Sequence, residues 1–139
     1  GFPSAEEWGV FVKHTWYHTK DNHLDMIDDT LYYFDHFNGK ILIYDECMNL
    51  LNECEITYPT KEDFWQHKIY KDKALGKFYT IFGSAVNEID VNTGKTSAVA
   101  NANQWMTEKI IIHKGNLYAV TKKRDSAGVW VSYVERIEL

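Results

Sequence analysis

The sequence predicts an all-β protein made of three copies of one antiparallel unit. Three observations predict it. Nine Tyr, seven Phe and five Trp bring the aromatic share to 15%, and such rings suit pleated, half-buried surfaces. Short apolar runs bounded by turn residues recur along the chain. Helical periodicity is poor throughout; only residues 59–64 could open one helical turn, with Thr60 as cap and Asp63 three residues on.

The first unit opens with Trp16-Tyr17-His18. It continues through Leu24-Asp25-Met26-Ile27, a polar pair Asp28-Asp29, and Leu31-Tyr32-Tyr33-Phe34. Lys40-Ile41-Leu42-Ile43-Tyr44-Asp45 then leads through a turn to a run from Leu50 to Ile56. The second unit begins at Trp65-Gln66-His67, followed by Lys68-Ile69-Tyr70, a turn around Ala74-Leu75-Gly76, and Phe78-Tyr79-Thr80-Ile81. Val86-Asn87-Glu88-Ile89-Asp90 then meets Asn92-Thr93-Gly94-Lys95 and a run from Thr96 to Ala100. Asp90 and Asn92 can cap local N–H groups, and Gly94 supplies the positive φ that such a hairpin needs.

The third unit runs Trp105-Met106-Thr107, Lys109-Ile110-Ile111-Ile112, a turn at Lys114-Gly115, and Leu117-Tyr118-Ala119-Val120. Val129-Trp130-Val131-Ser132-Tyr133-Val134 and the tail from Glu135 to Leu139 follow, with no clear final strand. From each Trp to the Leu or Phe of the second strand the spacings are 15, 13 and 12, and the copies start 49 and 40 residues apart. The expectation is one all-β domain over residues 1–139. Its four-stranded units cover about 16–58, 65–101 and 105–139, and strand 8–14 is available to complete the last.

An apolar strand, a turn, Leu-Tyr, and an Ile-Asp-x-x-Thr-Gly-Lys hairpin together resemble the blades of six-bladed β-propellers of the NHL, TolB and Bacteroides surface-protein type. The resemblance spans about residues 16–139 and implies a partial β-propeller, since rings usually hold four to eight blades. It brings no catalytic residue with it. Three units would need a longer chain or a second copy to close a ring. The alternative is a single lipocalin-like β-barrel of eight to ten strands, with residues 8–14 as the first.

The recurring Trp16, Trp65 and Trp105 are the first candidate site. Indoles gathered on one face would bind a glycan or a peptide, each giving a flat apolar ring and one N–H donor; the competing reading is that they wedge between sheets. His18 and His67 follow two of them at one offset, where the third copy has Thr107. With Asp63 or Glu108 these histidines could approach a metal, but no ligand spacing such as His-Glu-x-x-His is present, so no metal and no cofactor is expected. Asp28-Asp29, Glu6-Glu7 and Glu62-Asp63 are adjacent carboxylates that a strand would point to opposite faces. The serines lack a nucleophile elbow, and Gly76 and Gly83 belong to no phosphate loop.

Net charge is −5. The one basic run, Lys122-Lys123-Arg124, reads as a solvated hairpin loop, so nucleic acid is not an expected partner. No apolar run nears the ~20 residues that span a bilayer. Cys47 and Cys54 read as two buried thiols; a disulfide is possible but not favoured. Gly1-Phe2-Pro3-Ser4 has no initiator Met, and a lone Gly reads as a tag remnant. The expectation is a longer natural chain and a periplasmic or extracellular location. Functionally the sequence points to a non-catalytic binding or interaction module. The alternatives are a carrier of small apolar ligands, or a hydrolase or lyase on a propeller scaffold.

Overall fold

Asp28 (φ 52°) reverses the chain after Ile27, and Lys114 (φ 50°) with Gly115 (φ 75°) does so after His113. Left-handed residues at such positions match the twist of the flanking strands. Strands joined by turns of this sort make up the computed structural model, which describes residues 21–102 and 109–139. The fold is all-β, and no helix occurs among the described residues. Residues 59–64 hold bends and one turn, closed by the Trp65 N–H on the Glu62 carbonyl at 3.1 Å.

Among the described residues eleven strands form three antiparallel sheets. The first holds β1 (His23–Ile27), β2 (Thr30–Asp35), β3 (Lys40–Tyr44) and β4 (Leu50–Glu55) in chain order. The second holds β5 (Tyr70–Asp72), β6 (Lys77–Phe82), β7 (Ala85–Asp90) and β8 (Lys95–Asn101). The third has the order β11-β10-β9, from β9 (Ile110–His113), β10 (Asn116–Arg124) and β11 (Trp130–Glu138). The described residues form no closed barrel, because strands pair only with their chain neighbours inside a sheet. The chain divides into two compact units, residues 1–56 and 57–139.

In the first unit, pairing sets Phe34 opposite Ile41 and Tyr32 opposite Ile43. That face buries Ile27, Phe34, Ile41 and Ile43, worth about 1.5–3 kcal/mol for each side chain. The other face is apolar as well: Leu24 pairs with Tyr33 and Met26 with Leu31, and Tyr44 lies opposite Leu50. Leu24, Met26 and Leu50 on this second face are exposed.

In the second unit β6 is buried continuously from Phe78 to Ile81, so its sheet is covered on both sides. Tyr79, Ile81 and Val86 share one core with Ile112, Leu117 and Ala119 of the third sheet. The Asp72 carboxylate joins the same two sheets. It accepts N–H groups from Lys114 (3.1 Å) and Gly115 (2.7 Å) beyond β9 and from Leu75 (3.2 Å) in its own turn.

Among the described residues the third sheet holds three strands. The stretch read as one strand and a tail is a single nine-residue strand, paired with β10 at every residue from Trp130 to Glu138. No Gly, Pro or Asn interrupts residues 130–138, so nothing turns the chain. Lys122-Lys123-Arg124 is likewise strand; the loop is the Asp125–Val129 turn, in which Asp125 Oδ1 accepts from Ala127 and Val129, each at 2.9 Å. Residues 8–14 lie outside the described residues.

Candidate functional site

Of the predicted site residues, Trp65 and His67 fall among the described residues; Trp16, His18 and Trp105 lie outside them. Trp65 forms an isolated antiparallel bridge with Phe82 of β6 and is only 2% exposed. Its indole N–H donates to Thr80 Oγ1 at 2.7 Å, and the Thr80 hydroxyl donates to the Lys68 carbonyl at 2.8 Å. Tyr58 packs 6.4 Å away and the His67 ring 4.5 Å away. A ring enclosed in this way has no open face for a ligand, and Trp65 wedges the second sheet. His67 is exposed, with a left-handed backbone (φ 57°).

A second polar cluster ties the start of β1 to the β2–β3 turn. Asn22 Nδ2 donates to the Tyr33 hydroxyl oxygen (2.9 Å) and to Asp35 Oδ1 (3.3 Å), and Asp35 accepts from the Asn38 N–H and side-chain amide. His36 stacks on Phe34, and its Nδ1 bonds the Asp21 carbonyl. Burial pulls His36 down to about 4, so the neutral ring donates from Nδ1. Burial, then the Asp35 charge, pushes Tyr33 up against the Asn22 hydrogen bond. Every buried polar side-chain atom among the described residues has a partner, and the cluster fastens the start of β1 to the β2–β3 turn.

The third sheet supplies the outstanding surface. In β10, Leu117, Ala119 and Thr121 turn inward to the core. Tyr118, Val120, Lys122 and Arg124 therefore turn outward. Register places Arg136, Val134, Ser132 and Trp130 opposite them on the same side, with Ile111 of β9 beside Tyr118. Val134 is 76% exposed, Ile111 68% and Trp130 57%. The Arg124 guanidinium lies 5.0 Å from the Trp130 ring centroid, within cation–π reach. Arg124 and Arg136 bring two guanidinium groups to this face, where Glu138 is the one carboxylate among the described residues of β10 and β11, on a chain of net charge −5. On the inward side Lys123 pairs with Glu135 instead, and that lysine, with burial opposing it, holds Glu135 below the usual carboxylate range.

Sequence reasoning missed this face. The signal was available in residues 130–137, where Trp130, Ser132, Val134 and Arg136 alternate with Val131, Tyr133, Glu135 and Ile137. Both sets hold apolar residues, although only one can face the core. Among the described residues no group of three or more His, Cys, Asp and Glu is placed to hold a metal, and no helix is long and apolar enough to cross a membrane. Neither cysteine is in a disulfide; Cys47 is exposed in the β3–β4 turn and Cys54 is half-buried on β4, which corrects the reading of two buried thiols. No protein-family model matches the chain, and no curated protein matches it.

Proposed function

We propose that this chain is a non-catalytic binding module and that the outward face of its third sheet is the recognition surface. The observation that carries the reading is the exposure of Val134, Ile111 and Trp130 together on one sheet face, flanked by arginines. Contiguous apolar patches rimmed by polar groups mark interaction surfaces, and Trp, Tyr and Arg are enriched there. The ligand class is a peptide or a glycan, met in the periplasm or outside the cell. The succession of three antiparallel sheets in chain order is what supports reading the units as blade-like repeats. Peptide and glycan arrays probed with the wild-type chain, Trp130→Ala and Trp65→Phe test the assignment. Binding lost in Trp130→Ala and kept in Trp65→Phe supports it; binding untouched by Trp130→Ala removes it.

A second reading is self-association that completes a ring, favoured by the exposed Leu24, Met26 and Leu50 on the apolar second face of the first sheet. Light scattering tests it. A dimer mass that reverts to monomer in Leu24→Asp supports ring completion, and a monomer at all concentrations rejects it.

A further inference from the structure

Resting on the reading of the third sheet as the recognition surface, we propose that β11 accepts an extended acidic peptide as an added strand. The peptide would lay its apolar side chains along Trp130 and Val134 and its carboxylates over Arg136 and Arg124.

The first ground is the edge itself. β4 and β8, the outer strands of the other two sheets, each pair through a bulge. Leu51 is the extra residue between the pairs at Ile43 and Tyr44, and Val99 the extra residue between those at Val86 and Asn87. Bulges of this kind twist an edge away from further pairing. β11 has neither bulge nor proline, and its nine residues pair in unbroken register with β10. Among the described residues no strand pairs on its other side. Its outward N–H and C=O groups thus repeat at the spacing another strand requires.

The second ground is charge and side-chain alternation. A strand beside β11 sets alternate side chains on the outward face, about 5 Å from Trp130, Ser132, Val134 and Arg136. The Arg124 and Arg136 guanidiniums there favour an acidic ligand. A glycan would meet the arginines and the indole but leave the edge amides and carbonyls unmatched. A second copy pairing β11 to β11 would double the positive charge at the seam, which works against self-association there.

The experiment uses the full chain and fluorescence anisotropy with four probes: a labelled nine-residue Glu-Val peptide, Glu-Thr-Val-Thr-Glu-Thr-Val-Thr-Glu, whose Glu and Val alternate along one strand face; its Lys-Val counterpart with Lys for Glu; a Glu-Val peptide N-methylated at alternate residues; and an oligogalacturonate. The expected result is binding of the Glu-Val peptide alone, weakened about tenfold or more in Arg124→Glu/Arg136→Glu and in Trp130→Ala. Circular dichroism of both variants confirms that they fold. Equal binding of the N-methylated peptide, or of Lys-Val, overturns strand addition by an acidic segment. Binding of oligogalacturonate alone, lost in Trp130→Ala, overturns it too but leaves the third sheet as the recognition surface. No Trp130-dependent binding of any probe overturns this proposal, and the array experiment then decides the broader reading separately. A dimer whose mass falls in Val134→Asp overturns it in favour of a second copy.

Discussion

The Asp72 carboxylate at the end of β5 accepts the Gly115 N–H at 2.7 Å, across 43 residues of sequence. The same side chain takes the N–H groups of Lys114 and Leu75 and is 0% exposed. It is the polar fastening between the second and third sheets, and so it sets the position of the β9–β10 turn that borders the proposed recognition face. Asn keeps one acceptor oxygen and turns an amide toward the remaining donors. Asp72→Asn is therefore expected to lower stability by about 2 kcal/mol, read as a shift of the urea midpoint with unchanged slope.

The sign of the Asp72 pH dependence follows from its hydrogen bonds. Burial pushes its pKa up, but the backbone N–H groups, led by Gly115, outweigh that and hold it below the ordinary aspartate value. Its contribution is complete above that ordinary value and disappears as pH falls through the lower folded one. Asp72→Asn is expected to remove this acid limb, so wild type and variant should converge in urea midpoint at low pH.

His36 gives a limb at higher pH. Burial pulls it down to about 4, against the hydrogen bond to the Asp21 carbonyl and with the nearby His23 adding to the fall; Asp21 and Asp35 act the other way. An unfolded histidine titrates near 6.5, so the native chain binds fewer protons between these values. Stability should fall by about 3 kcal/mol from pH 6.5 to pH 4. In His36→Phe, which can keep the stack on Phe34, the urea midpoint of the first unit should lose that slope.

Trp65 should separate packing from recognition. Trp65→Ala is expected to cost about 3–5 kcal/mol by opening a cavity. Trp65→Phe, which loses the bond to Thr80 but keeps most of the ring volume, should cost about 1–2 kcal/mol. Both are read by urea unfolding followed by circular dichroism, and ligand binding by folded Trp65→Phe should match wild type.

The two thiols are directly countable. A thiol reagent should titrate two groups after denaturation, and in the native chain Cys47 should react faster than half-buried Cys54. One or no titratable thiol would show that the cysteines had been oxidised.

Much of the strand framework was legible in the chain because it is carried by local chemistry. Leu31, Phe78 and Leu117 each follow a turn near the start of a strand, and Gly94 (φ 74°) sits at the left-handed position of its hairpin. Relationships that need distant residues were not legible. Nothing near Asp72 announces partners at 114 and 115, and a Trp in a connection does not reveal which side of a sheet it enters. Residues 129–139 were read as a strand and a tail because the other copies turn at that point. With no turn residue between Trp130 and Glu138, β-propensity carried the strand through, and the face it presents follows from that continuity.

Hydrogen–deuterium exchange over residues 130–138, with and without the Glu-Thr-Val-Thr-Glu-Thr-Val-Thr-Glu peptide, tests recognition on the third sheet most directly. The predicted result is slowed exchange at alternate amides of β11 on binding, with β4 and β8 unchanged. Slowed exchange at β4 or β8 alone, or peptide binding that leaves β11 exchanging as before, would contradict it.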